Sequence, residues 1–271
     1  MPEDKRVLMP APRRRFRRHL VALAAAVALL AGVGVIDVTG ARAAHAAPSK
    51  ASSGTIVGNA LIFNTSMSTS SIQSEINQVY STEQPNQFGT QRYALMFEPG
   101  TYDLTVPVGF YTEVVGLGQS PTQTVITGGG VYTDASWFSG NATQNFRPDV
   151  ENIIIDPSSG STEWAASQAA PLRRVNIVGN AVLADNNGWA SGGFIGDSVV
   201  SGQVNSATQQ QYMSRNDQYG SWTSSSWNMV FVGDAGVPAQ SFPSPPYTTA
   251  SRTSPRSRTF ASMHRGTGMS S

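Results

Sequence analysis

Short apolar runs recur along the middle of the chain, and glycine or asparagine stands beside most of them. They predict strands near residues 94–97, 104–108, 112–116, 124–126, 152–156, 174–178, 193–196, 211–215 and 228–232. From Ile155 onward successive runs lie roughly 17 to 23 residues apart, and no helical pattern intervenes. This period favours a solenoid in which each turn is one coil of short strands, with asparagines stacked as a ladder near the strand ends. A β-sandwich, which also uses short strands, is the alternative.

One helix is predicted ahead of the strands. Ser70 stands in a capping position, with Gln73 three residues later as in a capping box. Ile72, Ile76 and Val79 then fall on one face at helical spacing. The chain is therefore expected to open its folded part with a short amphipathic helix.

Residues 1–46 have the pattern of an export signal. Five arginines between Arg13 and Arg18 precede an apolar stretch from Leu20 to Ile36, and Ala44-His45-Ala46 offers the small residues that a signal peptidase reads. A single membrane anchor is the alternative, because an apolar stretch of this length only just spans a bilayer. The segment predicts a secreted bacterial protein with no stable membrane insertion after cleavage. The arginines leave the general and the twin-arginine export routes both open.

The composition of the chain argues against several kinds of functional site. Without cysteine the chain has no disulfide, thiolate metal site or cysteine nucleophile, and the only histidines, His19, His45 and His264, lie outside residues 47–250. Six basic against fourteen acidic residues give that body a charge of −8, which argues against nucleic acid as a partner. No calcium-loop or phosphate-binding motif occurs, so no metal and no cofactor are predicted.

Two stretches resemble a known family. The helix followed by ALMFEPGTYDLTVPVGFYTEVVGLG resembles the N-terminal cap and first coils of secreted pectin-lyase-like proteins, and the stretch from Trp189 to Pro238 resembles actinobacterial secreted β-helix proteins. The resemblance spans about residues 55–247. It implies an all-β, right-handed parallel β-helix with a short N-terminal capping helix, and a distant likeness to glycoside hydrolases such as exo-β-1,3-glucanases.

The end of the chain departs from that resemblance. Members of the family continue through more coils, whereas here the strand pattern stops near Tyr247 and a basic, serine-rich tail follows. We therefore expect a signal peptide at 1–46, a β-helix domain at 47–250 that is incomplete at its C-terminal end, and a disordered tail at 251–271. A prematurely ended reading frame is favoured over a natural terminus. A solenoid cut within its stack exposes an unpaired coil edge, which predicts self-association.

Candidate chemistry gathers in the second half of the body. All five tryptophans lie between Trp137 and Trp227. Sugar rings pack on indole faces while their hydroxyls bond polar side chains, so the partner predicted is a polysaccharide. The candidate contact residues are Trp189, Arg215, Asn216, Trp222 and Trp227.

Asp197 and Asp217 are the candidate catalytic pair. They are twenty residues apart, so coils of about that length would bring them about 5 Å apart on one face. One carboxyl would act as general acid and the other as base or nucleophile. The alternative is that each caps a coil corner, where aspartate beside glycine bonds turn amides. Arg215 is expected to form a structural bridge to Asp217 or Asp197; the alternative is that it orients a substrate carboxylate.

These features predict a secreted carbohydrate-active protein that acts on glycosidic bonds of an extracellular polysaccharide. A glycoside hydrolase is favoured over a polysaccharide lyase. The alternative is a non-catalytic polysaccharide-binding or cell-surface scaffold protein, or an inactive fragment. Two carboxylates that face each other in a groove would distinguish the enzyme from the binding protein.

Overall fold

The computed structural model describes residues 55–241 and 247–250, which wind into a parallel β-solenoid of about six coils. The predicted export segment and basic tail lie outside the described residues. The strands are β1 (Thr55–Val57), β2 (Ala60–Phe63), β3 (Tyr93–Phe97), β4 (Gly100–Pro107), β5 (Thr112–Gly116), β6 (Thr124–Tyr132), β7 (Asp149–Ile155), β8 (Ser161–Glu163), β9 (Pro171–Ile177), β10 (Asn180–Val182), β11 (Phe194–Gly196), β12 (Val199–Asn205), β13 (Gln211–Arg215), β14 (Gln218–Thr223), β15 (Asn228–Val232) and β16 (Tyr247–Ala250).

Successive coils pair strand on strand in a long main wall. Its order is β1-β2-β3-β5-β7-β9-β11-β13-β15-β16, and the remaining strands form a second wall that joins it through β7, β9 and β12. Within the described residues every strand pair except β1–β2 is parallel. This pairing confirms the predicted β-helix and excludes the β-sandwich, whose strands pair antiparallel.

The core is built by inward residues that stack from coil to coil. Leu95, Val114, Val150, Leu172 and Ile195 occupy one register position on five neighbouring strands, and each is at most 1% exposed. Because side chains alternate across a strand, the residues on either side of this column face outward. The same register therefore orders both the core and the outer surface of the main wall.

The helix α1 (Thr69–Glu83) packs on β4 and buries the predicted residues Ile72, Ile76 and Val79. Its cap is not the predicted Ser70: the helix begins two residues earlier than that cap would imply, and the Ser68 hydroxyl accepts from the Ser71 backbone N–H. Gln73 makes no capping box. Its side-chain amide instead bonds both the N–H and the C=O of Thr105, which fixes the helix to the first coil.

One corner of the solenoid is built from residues with left-handed backbone. Asn152, Arg174, Asp197 and Asn216 stand at equivalent positions on four coils, with φ of 59°, 54°, 54° and 62°. Asparagine and aspartate tolerate this region better than most residues. The predicted ladder of stacked asparagines is not formed at this corner. The side-chain amide of Asn152, for example, donates to the carbonyls of Gly116 and Gly118.

In the described part of the chain, no helix combines the length and the apolar character needed to cross a membrane.

Candidate functional site

A groove follows the outer face of the main wall, across the strands. Its floor is a register column of outward residues, one from each coil, which we call the central column: Glu113, Asp149, Pro171, Phe194, Met213 and Val230. Two cavities lie over this column and a third adjoins them. Cavities between loops and rigid strands are the usual places for ligands to bind.

The largest of these three cavities, of about 510 Å³, covers the apolar part of the central column. Phe194, Met213 and Val230 form its floor, and Met213 is 44% exposed. The side-chain amides of Gln211 and Asn228 stand on the first residues of β13 and β15 and line it as well. A floor of apolar atoms beside amide groups suits a sugar, whose faces are apolar and whose edges carry hydroxyls.

A buried tyrosine contributes to the same cavity. Tyr212 is 4% exposed, its hydroxyl has no hydrogen-bond partner among the described residues, and its burial raises its pKa far above the usual range. Gly193 lies against its ring, since a Cβ there would come within 2.3 Å of a ring carbon. The hydroxyl therefore stays protonated at all ordinary pH values and is buried beneath the cavity, with its donor and acceptor unused by the described part of the chain.

The third cavity, of about 360 Å³, holds the exposed tryptophans. Trp189 and Trp227 line it and are 66% and 60% exposed. Gln210 lines this cavity and Gln211 the large one, so the two cavities adjoin. These two predicted contact residues are thus brought together on one surface.

The predicted carboxylate pair is out of register by one residue. Neighbouring coils here repeat after 19 residues, so the register neighbour of Asp197 is Asn216, and that of Ser198 is Asp217. The Asn216 Nδ2 donates to the Asp197 Oδ1 at 3.0 Å. Asp197 is exposed at the left-handed corner. Asp217 is 1% exposed and points into the solenoid.

The Asp217 carboxylate is enclosed by donors. Its Oδ1 accepts from the Ser198 N–H at 2.7 Å, and its Oδ2 accepts from the hydroxyls of Ser214 and Tyr219 and from the Arg215 N–H. The pKa of Asp217 is raised to about 7: burial is the main cause and the charge of Asp234 adds to it, while the hydrogen bonds from Ser198, Ser214 and Tyr219 oppose the rise. These contacts support the corner-capping alternative for Asp217; catalysis by the pair stays a prediction.

The other predicted contact residues lie apart from the groove. Trp222 is 6% exposed and packs against Tyr212, Tyr219 and Phe231 in the core, so its ring offers no face to a ligand. Arg215 is exposed at the end of β13, and Asn216 is engaged with Asp197.

Sequence reasoning missed Phe194, Met213 and Asn228 as residues that line the groove. The signal that could have found them is the alternation of buried and exposed positions in β13 and β15, which places Gln211 beside Asn228 and Met213 beside Val230 on neighbouring coils. Among the described residues, no group of three histidine or acidic side chains is placed to hold a metal ion.

Fold and groove together define a parallel β-solenoid with an aromatic, amide-lined surface suited to carbohydrate. No family model matches the chain. It is a homologue of the exo-beta-1,3-glucanase of Streptomyces sp. (strain SirexAA-E / ActE), with 50% identity over 202 residues, 74% of this chain and 33% of that protein.

Solved structures of sacteLam55A from Streptomyces sp. SirexAA-E share the fold. The protein itself and a variant in complex with glucose each superpose with a TM-score of 0.69 and 48% identity, covering 73% of this chain and 36% of theirs. The chain thus spans about a third of the length of the relatives it matches.

Proposed function

We propose that this chain acts on β-1,3-glucan outside the cell and binds the glucan in the groove of the main wall. The observation that carries the proposal is the pair of exposed tryptophans, Trp189 and Trp227, in a cavity that Gln210 lines beside Gln211 of the groove. The 50% identical relative is an exo-beta-1,3-glucanase, which supports both the β-1,3 linkage and hydrolysis as the reaction. Export by the segment 1–46 and self-association through the last coil belong to the same proposal.

The physical argument for glucan binding is the unfavourable free energy of leaving the indole rings of Trp189 and Trp227 exposed to water. Exposed rings of this size gain free energy when a sugar face covers them, because apolar area leaves water. Gln210 and Gln211 stand between the two cavities and can bond the sugar hydroxyls. Neutral amides suit a neutral glucan, since they need no counter-charge.

The binding is tested by isothermal titration of the full chain with soluble β-1,3-glucan. Trp189→Ala and Trp227→Ala are each expected to weaken the affinity about tenfold, because each removes one stacking face. Val178→Ala is the matched control, since Val178 is exposed and apolar but lines none of the three cavities. Equal affinity of the tryptophan variants and the control would contradict the proposed site.

The reaction is tested by release of reducing sugar from the same glucan. Loss of release in folded Asp197→Asn and Asp217→Asn would support the predicted acid/base pair, and full release by both would contradict it. Unsaturated products would instead indicate a lyase.

A non-catalytic glucan-binding protein is the second candidate. The burial of Asp217 favours it, because a carboxyl enclosed by four donors is removed from the surface that a glucan contacts. Binding that depends on the tryptophans, with no sugar released, would identify this function.

A further inference from the structure

The groove continues past its apolar floor into a cavity of mixed charge. Glu113 and Asp149 are register neighbours on β5 and β7, and they extend the central column on the side away from the tryptophans. They line a cavity of about 250 Å³ together with the guanidinium-bearing Arg92 and Arg147. Ala169 lines both this cavity and the large one, so the two cavities adjoin.

Within the described part of the chain, the carboxylates of Glu113 and Asp149 lack the hydrogen-bond partners that usually stabilise a partly buried acid. Neither accepts a hydrogen bond from a side chain or backbone group of the described residues, and burial, followed by the charges of Glu113 and Glu151, raises the pKa of Asp149 to about 6. The nearby cation Arg173 is already paired with Glu151. Acceptors left without partners on an open cavity are suited to hydroxyl donors of a ligand.

The length of the groove agrees with an extended ligand. From β5 to β15 the central column crosses six neighbouring strands, and at about 4.8 Å per step this is about 24 Å. A single glucose covers a fraction of that length, whereas an oligosaccharide that lies across the strands reaches both the tryptophans and the charged cavity.

We propose that Glu113, Asp149 and Arg147 form the far subsite of a groove for an extended, neutral gluco-oligosaccharide, whose hydroxyls donate to the carboxylates and accept from the guanidinium. The inference rests on the proposed function and adds a chain-length requirement to it. A trimer then binds at the tryptophan end alone, while a hexamer gains the far contacts.

The test compares how the affinity depends on the length of the oligosaccharide in the wild type and in variants of the far subsite. Affinities of the β-1,3-linked glucose trimer and hexamer are measured by titration for the wild type, for the double variant Glu113→Ala with Asp149→Ala, and for Arg147→Ala. Asp103→Asn is the control, an exposed acid on β4 outside the groove. We expect the wild type to bind the hexamer about tenfold more tightly than the trimer, and the groove variants to lose that advantage while keeping the trimer affinity.

The outcomes separate the two proposals. Failure of the wild type to bind either oligosaccharide overturns the proposed function and this inference with it. Trimer binding that depends on the tryptophans, with an unchanged hexamer advantage in the groove variants, overturns the far subsite alone. Equal losses for trimer and hexamer in those variants also overturn it, because the contacts would then not lie at the far end. Unchanged melting temperatures verify that the variants are folded.

Discussion

Asp217 occupies a corner at which its side chain ties two coils together. Its Oδ1 accepts from the backbone of Ser198 on the preceding coil, and the backbone N–H of Asp217 itself donates to Asp234 on the next coil. The Ser214 Oγ lies 2.9 Å from an oxygen of both Asp217 and Asp234, and its single proton can be donated to one of them at a time. A buried carboxyl with several donors holds the corner rigidly, and its replacement leaves donors without acceptors.

The raised pKa of Asp217 predicts the direction in which the stability of the protein changes with pH. Its pKa is about 7 in the folded protein against an ordinary value of 3.8. Between these values the unfolded chain has lost the proton and the folded chain keeps it, so the contribution of this group to the free energy of unfolding falls as the pH rises from about 4 to 7. Above pH 7 both states are ionised and the contribution no longer changes.

Asp217→Asn removes this titration. We expect the variant to be less stable than the wild type by about 1–3 kcal/mol near pH 4.5, because its amide opposes a donor to the Arg215 N–H. The deficit should shrink toward pH 7.5, and urea unfolding of both proteins at the two pH values measures it. A deficit that grows with pH would mean that the four donors lower the pKa of the carboxyl in the folded state.

A second feature that stabilises the coil corners is the close packing of glycines from neighbouring coils. Gly179 has a φ of +92°, and a Cβ there would lie 2.2 Å from the Gly160 carbonyl oxygen. Gly160 has a φ of +69°, but nothing stands within 4 Å of its would-be Cβ. The two positions share the backbone strain that an alanine would suffer and differ only in crowding.

This pair separates the cost of backbone conformation from the cost of coil packing. Gly160→Ala is expected to destabilise the protein by about 1 kcal/mol through its left-handed backbone alone. Gly179→Ala should cost at least about 2 kcal/mol more, because the neighbouring coil must move away from the new methyl group. Chemical unfolding of the two variants gives the comparison, and equal losses would show that the coils separate freely at this corner.

Sequence pattern predicts elements here better than it predicts the site. The face of α1 with Ile72, Ile76 and Val79 follows from spacing alone, and so do nine of the strands, whereas short or polar strands such as β8, β10, β12 and β14 are not predicted. The pairing of Asp197 with Asp217 fails by one residue because local coil length is 19, and this length is set by how each loop closes rather than by strand pattern. Trp189 and Trp222 look alike in sequence, yet one is exposed and the other buried, since burial depends on the coils above and below.

At the scale of the whole molecule, net charge sets which polysaccharides can approach. Residues 47–250 carry six basic and fourteen acidic residues, and the far cavity of the groove holds Glu113 and Asp149 beside Arg92 and Arg147. A polyuronate chain would be repelled by the acidic body, whereas a neutral glucan carries no charge on which this field could act. Recognition of neutral glucan should therefore depend little on salt, since its contacts are stacking and hydrogen bonds.

Two polysaccharides at two salt concentrations test this expectation. Affinity for soluble β-1,3-glucan should change less than about twofold between low and physiological ionic strength, over which the Debye length shortens to about 8 Å. Polygalacturonate should fail to bind at low salt. Binding of polygalacturonate that salt then weakens would show that Arg92 and Arg147, rather than the carboxylates between them, dominate the field of the groove. Arg147→Ala would abolish such binding, and it should leave the affinity for the neutral trimer as it is, because the trimer is held at the tryptophan end.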